Sequence, residues 1–197
     1  QTAGTVQVLS RRGLLCVWGA CAALYGLIAV HAASLWPRTS DQAGYFLAGV
    51  EAARGNWRLH GWVLTPPDFW TSDIALSALL STVWRLLGRP EASPFLLQLQ
   101  PALTWTALVA TVLALIRVRL PGPRDRVVGT LVALALFGVP LMRTETAYFV
   151  TLSAIHLGTL IYGLWAFHHA ARFLETGRRS RLLLSAGLLW LGVLGDP

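Results

Sequence analysis

The chain contains no lysine: all sixteen basic residues are arginine, they face only nine acids, and charged residues make up 13% of the 197 positions. Soluble domains carry about 25% charged residues, so a water-facing surface of ordinary charge density is excluded. Cysteine is limited to Cys16 and Cys21, five positions apart in one apolar run with no neighbouring Cys or His. Neither a disulfide framework nor a zinc ligand set follows from that spacing. Also missing are internal repeats, low-complexity tracts, a phosphate-cradling glycine loop, an HExxH helix and a Ser/His/Asp order. What remains is apolar: 55% of the residues are hydrophobic and the mean hydropathy is +0.57. This composition reads as a membrane protein, whose length is better counted in spans of about 20 residues than in soluble domains. A net charge of +7 would suggest nucleic acid in a soluble chain. Here the arginines cluster beside apolar runs, which orientation in a membrane explains, and no nucleic-acid partner is expected.

Five runs are expected to span the bilayer: 13–35, 94–116, 127–142, 147–170 and 182–195. The expected fold is therefore all-α, a polytopic transmembrane helical bundle with juxtamembrane amphipathic helices in a long first external loop, 36–93. The chain opens on Gln1 and closes on Asp196-Pro197 directly after an apolar run, so residues 1–197 read as the N-terminal part of one integral-membrane domain in a longer protein. The first run is too long for the h-region of a cleaved signal peptide, and no small-residue cleavage site follows it. Between the first two spans, 74–87 is also apolar but short. Asp73, Ser77, Ser81 and Arg85 recur there every four positions, drawing one polar stripe along a helix, the pattern of an interfacial helix rather than a crossing one. Without a crossing there, ten arginines (Arg11, Arg12, Arg117, Arg119, Arg124, Arg126, Arg172, Arg178, Arg179 and Arg181) share one side and six the other. The richer side is cytoplasmic by the positive-inside rule, which places the N-terminus inside. A six-span reading divides the arginines eleven to five, so the short amphipathic character of 74–87 decides between the two.

The external loop carries the polar chemistry. Thr39 to Gly55 reads as a short helix, with Thr39 and Gln42 as a capping box and Gly55-Asn56 as its stop. Asp41 falls in the first turn, where the helix dipole favours a carboxylate. The stretch "GNWRLHGWVLTPPDFWTSD" follows, mixing Trp57, Trp62, Phe69 and Trp70 with Arg58, His60, Asp68 and Asp73. Aromatics beside polar groups form either an interfacial belt or a sugar or headgroup platform. Farther along, "MRTETAYF" carries Arg143 and Glu145 at the outer end of the third span. His156 lies within the fourth span, where an ionisable residue is a functional hypothesis by default and a neutral interhelical hydrogen bond is the alternative. His168-His169 are adjacent and so expected on different helix faces, which argues against a metal pair.

An N-terminal span, then "SDQAGYFLAGVEAARGNWRLHGW" with its acid at the start of a juxtamembrane helix, an interfacial helix ending "LLG", and an arginine-flanked pair of spans closing on "MRTETAYF" together resemble the N-terminal part of the GT-C superfamily. The closer resemblance is to its bacterial branch of protein mannosyltransferase-like and aminoarabinose transferase-like enzymes. It implies a glycosyltransferase that moves a sugar from a polyprenyl-phosphate donor to an acceptor at the outer face of the plasma membrane. By this resemblance Asp41 is the general base of an inverting attack, and Glu145 a second acid of the site. Arg58 and Arg143 are candidates for the donor phosphate, to whose oxygens a guanidinium offers forked donors. His60, Trp62, Trp70 and His156 are candidates for substrate contact. Relatives commonly carry paired acids where Asp41 is followed by Gln42 and Ala43; no cofactor is predicted, and a divalent metal stays open but without support in the sequence. The implied partners are the lipid-linked donor, an acceptor of unknown kind and membrane lipid. Two alternatives stay open: a flippase for lipid-linked saccharides, with Gly138-Val139-Pro140 as a broken-helix hint, and a non-catalytic assembly subunit.

Overall fold

The computed structural model describes residues 40–62, 70–138 and 157–195, together with nine positions between Cys16 and His31. All regular structure among the described residues is helical. Helix α1 is Ser40–Ala53; a π-helical turn, Trp70–Ile74, leads into α2, Ala75–Leu86; then come α3, Pro94–Arg119, α4, Pro123–Gly138, α5, Leu157–Thr176, and α6, Arg179–Gly195. The described positions between Cys16 and His31 are helical as well. The all-α expectation is met.

Local sequence sets the boundaries. Helix α1 stops where Gly55 takes a positive φ of 102°, a conformation glycine adopts without a Cβ penalty. Ser93 caps α3, its Oγ accepting from the Phe95 amide, and Pro94 occupies the first turn, where its missing N–H is no loss. The 26 residues of α3 make it long and apolar enough to cross a membrane, and among the described residues it is the one helix that meets that criterion. Helices α4 and α6, with 16 and 17 residues, overlap the third and fifth expected runs. Residues 139–142 and 147–156 of the third and fourth runs lie outside the described residues.

Helix α3 is the axis of the structure. Ala102, Trp105, Leu108, Val109 and Leu113 pack with Leu157 of α5, and Val30, Leu134, Phe137 and Ile161 close around them. Trp105 meets Phe137 of α4 edge to face at 5.2 Å. One position in α3 breaks its own ladder: Pro101 is buried within the helix and has no N–H to offer the carbonyl four residues back. That carbonyl belongs to Leu97, and Gln42 Nε2 of α1 donates to it at 2.9 Å. Gln42 is 5% exposed, so its amide serves this tertiary contact rather than the expected capping box, whose other member, Thr39, lies outside the described residues.

Beside its apolar core the fold buries several polar residues and leaves many large apolar ones exposed. Asp73, Ser77, Ser81, Gln100 and Thr104 are buried, while Leu79, Val83 and Leu86 of α2, Leu131 and Leu136 of α4, and Leu183 and Trp190 of α6 are exposed. The amphipathic stripe of α2 is therefore turned inward, not toward water. Ser77 and Ser81 are wholly buried, and their hydroxyls have no hydrogen-bond partner among the described residues. Size rather than polarity explains their place: α1 approaches so closely that a Cβ on Gly49 would stand 2.3 Å from the Ser77 Cβ. Small residues spaced four apart are what lets two helix backbones come together. Arg85, the last member of the stripe, is exposed.

At the far end of α3 the charges converge. Arg119 donates from Nε to His168 Nδ1 at 3.1 Å and from Nη2 to the His168 carbonyl at 2.7 Å. It also pairs with Glu175, which Arg172 joins at 2.6 Å. These arginine hydrogen bonds hold the Glu175 carboxyl below its ordinary range. The rings of His168 and His169 lie 5.2 Å apart, edge to face, closer than adjacency on different faces suggested, yet each meets a different arginine, Arg119 and Arg181.

Candidate functional site

The π-helical turn is where the elements meet. Tyr162 of α5 donates from its hydroxyl to the Thr71 carbonyl at 2.7 Å, and Thr71 Oγ1 donates to the Leu191 carbonyl of α6 at 2.7 Å. Gly158 lets α5 come so near that a Cβ there would lie 2.2 Å from the Ser72 Cβ. Asp73 closes the arrangement. It is 3% exposed; its Oδ1 accepts from Gln100 Nε2 of α3 at 2.6 Å, and its Oδ2 accepts from Ser72 Oγ at 2.9 Å. Wide turns of this kind insert an extra residue into a helix and recur at functional sites. Both carboxylate oxygens are engaged and screened from solvent, so Asp73 is built to hold the turn against α3 rather than to exchange protons with a substrate.

Before the turn, a tight loop from Asn56 to Gly61 follows α1. The His60 amide donates to Asn56 Oδ1 at 3.0 Å, and Asn56 Nδ2 donates back to the His60 carbonyl at 3.3 Å. Leu59 takes a positive φ of 48°, an uncommon conformation for a residue with a Cβ, and is 5% exposed. Its side chain is sunk into a cluster with Ala48, Ala52, Ile74 and Ala78, which offsets the backbone strain. With Leu59 pinned, Trp57, Arg58 and His60 are left exposed on the outside of the loop.

The residues expected from sequence to form the site divide into three groups. Trp62 and Trp70 are brought together, both half-buried against the Leu59–Ile74 cluster; this favours a packing role over two free stacking faces. Arg58 and His60 share the exposed loop. Asp41 is the second residue of α1, its backbone fixed beside Gln42, whereas its side chain lies outside the described residues. Arg143, Glu145 and His156, and Val139-Pro140 of the broken-helix hint, also lie outside them. Among the described residues no group of three or more His, Cys, Asp or Glu side chains converges as a metal site would require.

The sequence marks Asp73 as the start of a polar stripe and as one of the polar residues among the loop aromatics, and leaves Gln100, Tyr162 and Ser72 unmarked. The signal for Asp73 was present, since an acid opening a four-residue repeat in an apolar helix needs a partner if the stripe turns inward. Nothing local marked Gln100 or Tyr162 as that hub's donors. Comparison of the chain with protein-family models, with curated proteins and with solved structures finds no match in any of the three.

Proposed function

We propose that the chain is the N-terminal part of a polytopic membrane glycosyltransferase of GT-C type, taking its sugar from a polyprenyl-phosphate donor at the outer face. The observation that supports this reading is how α1 is docked. Gln42 is anchored to Leu97, within one turn of the start of α3 at Pro94, while the arginine-rich cluster gathers on Arg119 at the other end of the same helix. At a rise of 1.5 Å per residue these two points lie roughly 33 Å apart, about one hydrocarbon thickness. With the arginine end cytoplasmic, the first turn of α1, and so Asp41, stands at the opposite boundary. Helix α2, twelve residues long, rises only about 18 Å and is too short to cross; its apolar outer face suits the interface.

In this reading Asp41 accepts the proton of the acceptor hydroxyl as its oxygen attacks the anomeric carbon. The bond from that carbon to the phosphate oxygen breaks on the opposite face, the configuration inverts, and the phosphate leaves on its lipid. An ordinary carboxylate is a modest base, so holding it in place supplies much of the effect. The test is sugar transfer from a polyprenyl-phosphate donor by the full-length protein and its Asp41→Asn variant. A fall of about a hundredfold is expected from loss of a general base. Undiminished transfer by the variant removes Asp41 from that role, and no transfer by the unaltered protein with any such donor removes the transferase reading.

A further inference from the structure

A cleft of about 360 Å³ lies where α1 ends and the α2–α3 connection begins, lined by Arg54, Arg85, Arg89, Pro90, Glu91 and Ala92. Arg54 is engaged, donating from Nε to Glu91 Oε1 at 2.6 Å and from Nη1 to Glu51 at 2.9 Å. Arg85 Nη1 stops 3.7 Å from Glu91 Oε2, beyond a hydrogen bond, and Arg89 is exposed. Three guanidinium groups thus face two carboxylates, and the cleft keeps a surplus of positive charge with forked donors to spare. Glu91 Oε2 is itself buried with no hydrogen-bond donor on it among the described residues.

In sequence, Arg85 and Arg89 of the cleft flank the end of an apolar face of α2. Leu79, Val83 and Leu86 line one outward face of α2 at helical spacing, Leu87 follows, and all four are exposed, Leu86 by 79%. An apolar strip about two helical turns long that ends in spare guanidinium donors matches a molecule with hydrocarbon at one end and phosphate at the other. Arginines on the face opposite the cytoplasmic cluster are not what membrane orientation alone would place there.

We propose that the Arg54–Arg85–Arg89 cleft is a binding site for a phosphate-headed bilayer lipid, with the phosphate held by Arg85 and Arg89 and an acyl chain laid along Leu79, Val83 and Leu86. Glu91 Oε2 accepts a hydroxyl or ammonium donor from the same headgroup. This goes beyond the transferase reading and stands whether or not Asp41 is a base. The test is native mass spectrometry of the full chain, stripped of lipid in detergent and titrated with phosphatidylglycerol, with inorganic phosphate as competitor. Arg85→Gln/Arg89→Gln is expected to weaken retention at least about tenfold, since both charge-assisted contacts to the phosphate are lost. Arg178→Gln/Arg179→Gln, at the other end of the molecule, is expected to leave it unchanged, as is millimolar inorganic phosphate. If the double variant loses its helical circular dichroism, the exposed single variant Arg89→Gln is used, with a several-fold loss expected. Lipid retention equal to the unaltered chain in the folded variants overturns the site. Phosphate competing as tightly as the lipid overturns the lipid as its occupant.

Discussion

Asp73→Ala is expected to lower the stability of the folded chain by about 3–5 kcal/mol, because two hydrogen bonds to a charged group, each worth on the order of 1.5–3 kcal/mol, are lost together. The loss falls on a junction rather than a surface. Gln100 is 2% exposed and Asp73 3%, so water does not replace the missing acceptor at Gln100 Nε2, and the π-helical turn loses its tie to α3. Asp73→Asn separates shape from charge. The amide oxygen still accepts from Gln100 and the amide nitrogen faces Ser72 Oγ, which rotates to accept, so this variant is expected to stay within about 1 kcal/mol of the parent. Reversible unfolding of both variants in mixed detergent micelles checks the pair. An Asp73→Ala protein as stable as its parent contradicts the junction described here.

Gly49→Val is expected to destabilise by about 3 kcal/mol or more, at the upper end of what overpacking usually does. A Cβ at this position meets the Ser77 Cβ at 2.3 Å and, at 2.9 Å, the Ala78 nitrogen and the Ile74 carbonyl. Two of those three atoms are backbone, so no rotamer change relieves the contact and α1 must move off α2. Ser77→Gly removes one of the three contacts. In combination with Gly49→Ala it is expected to recover part of the loss and not all of it, a coupling that a double-mutant cycle reads directly. Additive effects of the two changes contradict the packing.

Much of the helical layout was legible because its signals are local. Ser93-Pro94 starts α3 where expected, Gly55 ends α1 where expected, and the run expected at 94–116 extends only to Arg119. What stayed hidden depends on which solvent meets each face. The four-residue repeat from Asp73 to Arg85 is the same string whether its stripe meets water or another helix, and only the approach of α1 at Gly49 shows that three of its four members turn inward. The partner of Gln42 was equally hidden, since its acceptor exists only because Pro101, fifty-nine positions later, leaves the Leu97 carbonyl open. Asp73 was visible as an acid but not as a junction, because Gln100 and Tyr162 reach the turn from helices distant in sequence. Of the residues expected to contact donor or substrate, Arg58 and His60 share one exposed loop and Trp62 and Trp70 share one cluster, while the Asp41 side chain, Arg143, Glu145 and His156 lie outside the described residues.

Placement of the α1–α2 pair on the outer boundary is the claim on which the functional reading turns. Ser77 is buried and reports nothing about sidedness, whereas Ala92, between the arginine cleft and the start of α3, is exposed. The most direct measurement is therefore reaction of an Ala92→Cys protein, with Cys16 and Cys21 replaced by Ser, with a membrane-impermeant thiol reagent added outside intact cells. Rapid labelling from outside is the expected result; labelling that appears only after the membrane is permeabilised puts α1, α2 and Asp41 on the cytoplasmic side and contradicts it.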